Sequence, residues 1–291
     1  MNIQKYLAFV TAVDCGSFTK AANILHYSQS GISRMINDLE LEWQVSLLER
    51  GRAGVRLTSD GQNLLPMARG VCNEYRNLRA KIDEIKGLQS GIIRIGTFSS
   101  AATHWLPRII LAFQKDYPNI EYELLLGDYG EIEKWILEGR VDCGFLRLPV
   151  SSELDAVFLE KDPLLVVVPE DHPLADSGQF PVAALADYPF MLLEKGGKGE
   201  IAEALAQWGV SPKAHFTTWD DYAIMSMVEN GLGISILPRL ILRRIPYRLA
   251  VIEPDRPAFR EIGLAVRDKK AMSLAVTRFL DYLPCREDQV Q

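Results

Sequence analysis

One helical stretch constrains this chain more than any other part of it. From residue 64 onward the apolar positions Leu64, Ala68, Val71, Tyr75, Leu78, Ile82 and Ile85 follow one another at alternating steps of four and three residues. A mean step of 3.5 residues is the period of a coiled-coil seam, on which a second helix packs to remove the stripe from water. The plainer alternative is an amphipathic helix laid against its own chain. Ser59-Asp60-Gly61-Gln62 fits a capping box at the start of this helix. Pro66 removes one backbone hydrogen bond near its beginning, and the Gly87–Gly91 stretch marks a linker after it. At 291 residues the chain is too long for one ordinary core. The long helix divides it into a head, a rod and a body.

In the head, Ile3, Tyr6, Leu7, Val10 and Val13 recur at helical spacing until Gly16. Ser17 can cap a second helix running through Leu25, and Ser28 a third that carries Ile32, Met35, Ile36, Leu39 and Trp43 on one face. Ser30, Ser33, Arg34 and Asn37 occupy the opposite sector of the third helix, with Gln29 beside them in its first turn. Hydroxyls, amides and an arginine are the groups that hydrogen-bond to base edges and phosphates in a major groove. Helix, tight turn at His26-Tyr27 and second helix with a polar outer face is the helix-turn-helix arrangement, although a merely solvated face has the same composition. Leu47–Arg50 and Val55–Thr58 flank Arg52-Ala53-Gly54 and read as a β-hairpin displaying Arg50, Arg52 and Arg56. Three short helices leave too little core for a self-sufficient enzyme and suit a small binding module.

After residue 91 the texture changes to strands alternating with helices, which argues for α/β domains with a largely parallel sheet. Strands are expected at IIRIGTF, IEYELLLG, VDCGFLRL, FMLLE, AHFTTW and near 234–237, 248–253 and 260–267. Helices are expected at 103–117, 129–139, 199–207, 220–230 and 271–283, and LEKDPLLVVVPEDHP interrupts the pattern. Two lobes result, the chain crossing near 162–166 and returning near 265. Ligands of open α/β sheets sit beyond the C-terminal ends of strands, at helix N-termini. That rule points to Ser99, Ser100 and Thr103 after the first strand, Asp128 and Tyr129 after the second and Arg147 after the third. In the second lobe it points to the glycine-rich stretch containing Lys198 and to Thr218-Trp219, with Thr218 as helix cap. Arg147 is the best single partner for an anion, unless an acidic neighbour takes it. Asp128 and Asp220 would instead favour an amino group, and a zwitterionic ligand would use both signs.

Residues 1–90 hold 11 Lys/Arg against 9 Asp/Glu, and residues 91–291 hold 21 against 29. A mildly basic head on an acidic body can place one end on a polyanion. The four cysteines and four histidines show no metal-ligand spacing, so neither metal nor cofactor is expected. The cysteines read as reduced, mostly buried thiols. Ser99, Ser100, His104, Asp128 and Cys143 could be assembled into a catalytic set, but no G-x-S-x-G or phosphate-binding loop supports them, and the chain does not read as an enzyme. No apolar run reaches the ~20 residues of a membrane span, and the first residues lack the pattern of an export signal. A cytoplasmic protein is expected.

Gly16-Ser17-Phe18, Ala21-Ala22, Leu25-His26, Ser28-Gln29, Ser33, Leu39-Glu40 and Leu57-Thr58, followed by the long helix and the α/β body, stand in the register of the LysR-type transcriptional regulators, which this chain resembles over essentially its whole length. It departs from that pattern at Ser30, where proline is common, at Gln44, where glycine usually ends the recognition helix, and at Leu48, where phenylalanine is common.

The resemblance implies an α+β multidomain fold. A winged helix-turn-helix spans 1–58, a linker or dimerisation helix and hinge 59–90, and a two-lobed, periplasmic-binding-protein-like effector domain 91–291. Lobe 1 is then 91–163 with 266–291, and lobe 2 is 164–265. Ser28, Gln29, Ser30, Ser33, Arg34 and Asn37 would approach promoter DNA, and Arg50, Arg52 and Arg56 would lie near phosphates or the minor groove. Ser100, Tyr129 and Arg147 would contact a small-molecule effector, and Leu64, Val71, Tyr75, Leu78, Ile82 and Ile85 would hold a homodimer that assembles further into a tetramer and works with RNA polymerase. The alternative within this family is a DNA-binding regulator whose regulatory half has lost its ligand.

Overall fold

The computed structural model describes residues 2–49, 55–85, 91–193 and 199–286. The head consists of α1 (Ile3–Cys15), α2 (Phe18–Leu25) and α3 (Gln29–Trp43), followed by the short antiparallel pair β1 (Leu48–Glu49) and β2 (Arg56–Leu57). Caps set the helix boundaries. Asn2, Ser17 and Ser28 each accept a backbone N–H from the first turn of α1, α2 and α3. Gly16, His26 and Gln44 end the three helices in the left-handed region. Phe9, Ile32, Ile36, Leu39 and Leu47 are buried together in the head core, where each such side chain contributes about 1.5–3 kcal/mol.

The rod, α4 (Ser59–Ile85), begins directly after the hairpin. Its cap is Thr58 rather than the expected Ser59. The Thr58 hydroxyl accepts the Gly61 N–H at 2.9 Å and donates to the Ser46 carbonyl at 2.6 Å. Thr58 is the last residue before the helix and faces the α3–β1 connection, so its hydroxyl can serve both sides. Gly61 lies so close to that connection that a Cβ would stand 2.1 Å from the Leu47 carbonyl oxygen. On the other side of α4, Arg69 is buried and forms ion pairs with Asp14 of α1 and with Glu138 of the body. Arg76 donates to the Gly139 carbonyl at 3.4 Å. The rod therefore packs on both its neighbours.

Lobe 1 contains β3 (Gly91–Thr97), α5 (Ser99–His104), α6 (Leu106–Asp116), β4 (Ile120–Leu126), α7 (Tyr129–Leu137) and β5 (Cys143–Arg147). The strand β6 (Asp155–Pro169) leads into lobe 2. There follow β7 (Gln179–Phe180), β8 (Phe190–Leu193), α8 (Glu200–Trp208), β9 (Ala214–Thr218), α9 (Asp221–Glu229), β10 (Ile234–Pro238) and β11 (Leu249–Pro254). Finally β12 (Phe259–Val266) and α10 (Leu274–Leu280) return to lobe 1. Pairing is parallel for β3 with β4 and β5 and for β8 with β9 and β10, as the alternation of elements implies. The strands that join the lobes are antiparallel to their neighbours.

Three expectations change here. The segment read as an interruption is the single fifteen-residue strand β6, whose first part pairs with β12 and whose second part pairs with β10 and β11. Leu164–Val168 is buried on both faces and shows no alternation, while Asp162-Pro163 breaks the apolar pattern where the strand changes lobes. The return comes between Ala258 and Phe259 rather than near 265, because Ile262, Leu264 and Val266 of β12 belong to the lobe 1 core with Trp105, Phe113 and Phe145. A strand pattern alone does not say which sheet the strand joins. The helix expected at 103–117 is two helices that meet at Trp105, whose buried ring occupies the junction.

Gly61→Ala should destabilise the head by about 1–3 kcal/mol, the range for forced overpacking, since the obstructing atom is backbone. Urea unfolding followed by circular dichroism measures it, and an unchanged midpoint would refute the close approach.

Candidate nucleic-acid interface and ligand cleft

The buried face of α3 decides which side chains look outward. With Ile32, Ile36 and Leu39 fixed in the core, Gln29, Ser30 and Arg34 are exposed and Ser33 and Asn37 half-buried on the other side. Ser28 has a local duty, accepting the Gly31 N–H at 3.0 Å, and its hydroxyl lies 3.1 Å from that of Ser30. The left-handed His26 makes the sharp turn between α2 and α3, after which the Tyr27 N–H donates to the Ala22 carbonyl at 2.9 Å. Glu40, on the far end of α3, accepts the Leu47 and Leu48 N–H groups at 2.7 and 3.1 Å and so anchors the hairpin to the helix. Arg56 is exposed on β2. Arg50 and Arg52 lie outside the described residues.

The rod presents a second surface. Val71, Leu78 and Ile82 are exposed, Leu64 and Tyr75 half-buried, and the side chain of Ile85 lies outside the described residues. Ala68 leaves the expected seam because it is buried against the head with Leu65 and Cys72. Met67, 70% exposed, stands instead beside Val71 and Leu78 (59% exposed) on the outer stripe. A straight helix drifts by about 20° per heptad, and α1 covers the side to which the early positions turn.

A cleft of about 450 Å3 opens between the lobes, lined by Phe98, Ser99, Ser100, Asp128, Tyr129, Glu131, Glu200, Trp219, Asp221 and Arg260, among others. Its centre is Arg260, 4% exposed. The guanidinium donates from Nε to Asp162 at 2.9 Å, from Nη1 to the Tyr129 hydroxyl at 2.9 Å and Glu200 at 3.4 Å, and from Nη2 to the Ser100 hydroxyl at 2.9 Å. The Tyr129 hydroxyl in turn donates to Glu200 at 3.1 Å. Burial alone would lower the Arg260 pKa, but Tyr129, Asp162 and Glu200 outweigh it and raise it. Burial also raises the Tyr129 phenol and pushes the Asp221 carboxyl up to about 6.

Of the residues expected to meet an effector, Ser99, Ser100, Tyr129 and Trp219 line this cleft. Thr103 and Thr218 do not. Thr103 is on the exposed side of α5, and the Thr218 hydroxyl accepts the Asp220 N–H at 3.2 Å. The cap of α9 is Asp220, whose longer, charged side chain accepts from both Tyr222 and Ala223. Arg147 is not among the lining residues, for Glu203 of α8 takes its guanidinium in an ion pair across the lobes. Lys198 lies outside the described residues. Sequence reasoning misses Arg260, Asp162, Glu200 and Asp221. Arg260 carries a signal, since it shares the strand parity of Ile262 and Leu264 and so points inward with them. The thiols of Cys72 and Cys143 are buried, which pushes the first up to about 11 and raises the second also. Among the described residues no group of three His, Cys, Asp or Glu is placed to hold a metal ion, and no helix is long and apolar enough to cross a membrane.

Two family models match this chain. The model of the bacterial regulatory helix-turn-helix protein, lysR family, matches residues 3–62, and that of the LysR substrate binding domain matches residues 86–286. The chain belongs to the LysR family. It is 35% identical over 288 residues to the probable HTH-type transcriptional regulator LrrA of Synechococcus elongatus, covering 97% of this chain and 96% of that one. It is 32% identical over 284 residues to the uncharacterized HTH-type transcriptional regulator YvbU of Bacillus subtilis, covering 97% of each. A single-substitution variant of full-length OxyR from Pseudomonas aeruginosa shares the fold, with a TM-score of 0.76 at 22% identity over 98% of this chain and 94% of that one. This LysR-family chain is thus a DNA-binding transcriptional regulator with a substrate-binding effector domain.

In this LysR-family cleft, Asp221 holds its proton more tightly in the fold than in the unfolded chain. That raised pKa adds stability at acid pH, and the contribution disappears as pH rises from about 4 to about 6. Asp221→Asn should gain stability on the wild type across that window and keep the gain above it. A difference in unfolding free energy that stays constant from pH 4 to pH 7 would count against the burial of this carboxyl.

Proposed function

We propose that the chain reads operator DNA through α3 and the hairpin, doubles that reading by pairing through α4, and changes its grip when a small molecule enters the interlobe cleft. The observation that carries this reading is the outward face of α3, where Gln29, Ser30 and Arg34 stand exposed above a fully buried apolar face. One such helix touches few bases, so two heads held at fixed spacing make a reader of paired half-sites. Val71, Leu78, Ile82 and the adjoining Met67 supply the apolar stripe for that pairing. A tetramer would follow from contacts between effector domains. The chain acts on a promoter in the cytoplasm, by binding and not by catalysis, and RNA polymerase is the machine whose access it alters.

A ligand shifts the equilibrium between two lobe arrangements only by its differential affinity for them. A second reading, a regulatory half that works without ligand, draws on the ion pairs Arg147–Glu203 and Arg260–Glu200, which already join the lobes. The volume left beside those pairs favours the ligand-responsive reading.

Gln29→Ala should reduce discrimination between operator and random duplex by about 1–3 kcal/mol. Arg56→Ala should weaken both equally and reduce the salt dependence of binding by about one counterion. Fluorescence anisotropy at several salt concentrations reads both effects, and the opposite pattern would reverse the assigned roles. Leu78→Glu, at an exposed position, should leave the fold intact and give a monomer in sedimentation equilibrium; an undisturbed dimer would remove α4 from the interface.

A further inference from the structure

We propose a second small-molecule site at the junction of the rod and lobe 1, for a hydroxycarboxylate with a hydrocarbon body, whose carboxylate Arg76 receives and whose hydroxyl Asn73 receives. It is separate from the interlobe cleft and stands whether or not that cleft takes a ligand.

A cavity of about 410 Å3 opens where α4 meets the end of α7, the end of β12 and the start of α10. Small-molecule sites range over about 300–1,000 Å3. The cavity shares no lining residue with the interlobe cleft. Asn73 and Arg76 line it from the rod, and the buried Ile136, Val141, Val266 and Val276 give it an apolar wall on lobe 1.

Arg76 differs from the arginines around it. Arg69, two turns earlier on the rod, is paired with Asp14 and Glu138, and Arg94 with Glu123 at 2.8 Å. Among the described residues, the half-buried Arg76 donates only to the Gly139 carbonyl at 3.4 Å and forms no ion pair. Burial and the Arg94 guanidinium lower its pKa, and Asp142, Cys72 and Asp14 raise it less. A guanidinium has five N–H donors, so most of those on Arg76 are left for an oxyanion. A carboxylate matches that fork with two parallel hydrogen bonds.

The acids on the cavity wall do not take this role. Asp142 accepts the Arg94 N–H at 2.7 Å, and Asp268 accepts that of Lys270 at 2.8 Å. Glu74 is exposed, and residues two apart on a helix do not face each other. Arg267, exposed at the rim, adds a second positive charge.

Asn73 supplies the second polar contact. Its Oδ1 is buried and has no hydrogen-bond partner among the described residues. Gly139, in the left-handed region, makes room for the amide, because a Cβ there would stand 1.4 Å from the Asn73 Nδ2. A buried acceptor without a donor is costly, and a ligand hydroxyl provides one. Asn73 and Arg76 are three residues apart and so are neighbours on one face of α4, within reach of a single small molecule. Because the walls come from both the rod and lobe 1, an occupant ties the two together.

Thermal unfolding of the full chain, titrated at matched ionic strength, tests the proposal. The probes are 2-hydroxyisocaproate, isocaproate (no hydroxyl), isoamylamine (opposite charge) and inorganic phosphate (no hydrocarbon). 2-Hydroxyisocaproate should raise the midpoint, isocaproate should bind about fivefold more weakly for one neutral hydrogen bond lost, and the amine and phosphate should have no effect. Arg76→Gln should weaken apparent affinity for 2-hydroxyisocaproate by about tenfold or more, the loss expected for a charge-assisted hydrogen bond. Gly70→Leu should abolish binding, since a Cβ on this lining residue meets nothing within 4 Å and the leucine grows into open space. It also takes the place of Arg76→Gln should that variant fail to fold. Arg79→Gln, an exposed arginine of the rod outside the cavity, should respond as the wild type does. Preference for the amine or phosphate overturns the ligand class, and equal affinity for the two carboxylates removes Asn73 from the site. A response undiminished in both cavity variants overturns the site, and silence from every probe overturns the proposal.

Discussion

The architecture of the body depends on one buried ion pair. Asp162, fully buried, sits where β6 passes from lobe 1 to lobe 2, and it accepts from Arg260 of β12 and from the Leu240 N–H. Two lobes that share only crossing strands would otherwise meet around a buried carboxylate with no countercharge. Removing one partner of such a pair costs about 3–5 kcal/mol, because the remaining charge cannot reach water. The pair also sets the chemistry of the cleft. By engaging Arg260 from behind, Asp162 turns the remaining donors toward Ser100, Tyr129 and Glu200, which come from three different helices. The same side chains thus hold the two lobes together and form the wall of the cleft.

A similar economy marks the rod. One side of α4 is buried against α1, another rests on the end of α7, and a third stays apolar and exposed. Arg69 joins the first two, since its guanidinium holds Asp14 of the head and Glu138 at the end of α7. The other end of α7 carries Asp128, Tyr129 and Glu131 into the cleft. A single nine-residue helix therefore meets the interlobe cleft at its start and, through Glu138 and Arg69, the head at its finish. The head, rod and lobe 1 are connected by charge as well as by chain.

Much of the head was legible because its rules are local. Ser17 and Ser28 cap α2 and α3, Gly16 ends α1, and the apolar spacing of Ile32, Ile36 and Leu39 sets the outward face of α3, all within a few residues of one another. The body was legible as alternating strands and helices but not as two lobes with correct borders. β6 lost its signal because a strand buried on both faces has no alternation, and because its polar break at Asp162 is satisfied only by a residue 98 positions away. Thr218 was expected to cap α9, but its hydroxyl accepts the Asp220 N–H and Asp220 itself accepts the first-turn N–H groups of the helix.

Within the site the same division holds. The caps of α2 and α3, the polar sector of α3, the long helix and the family register could be read from the residues, since each depends on neighbours one helical turn or a few residues away. Long-range pairing could not. Arg147 and Arg260 are both strand arginines of lobe 1, and nothing in their local sequence says that Glu203 would close the first or that four partners would gather around the second. Electrostatic partners are chosen by distance in space, and only the packing of α8 against β12 brought the acids of one lobe to the arginines of the other.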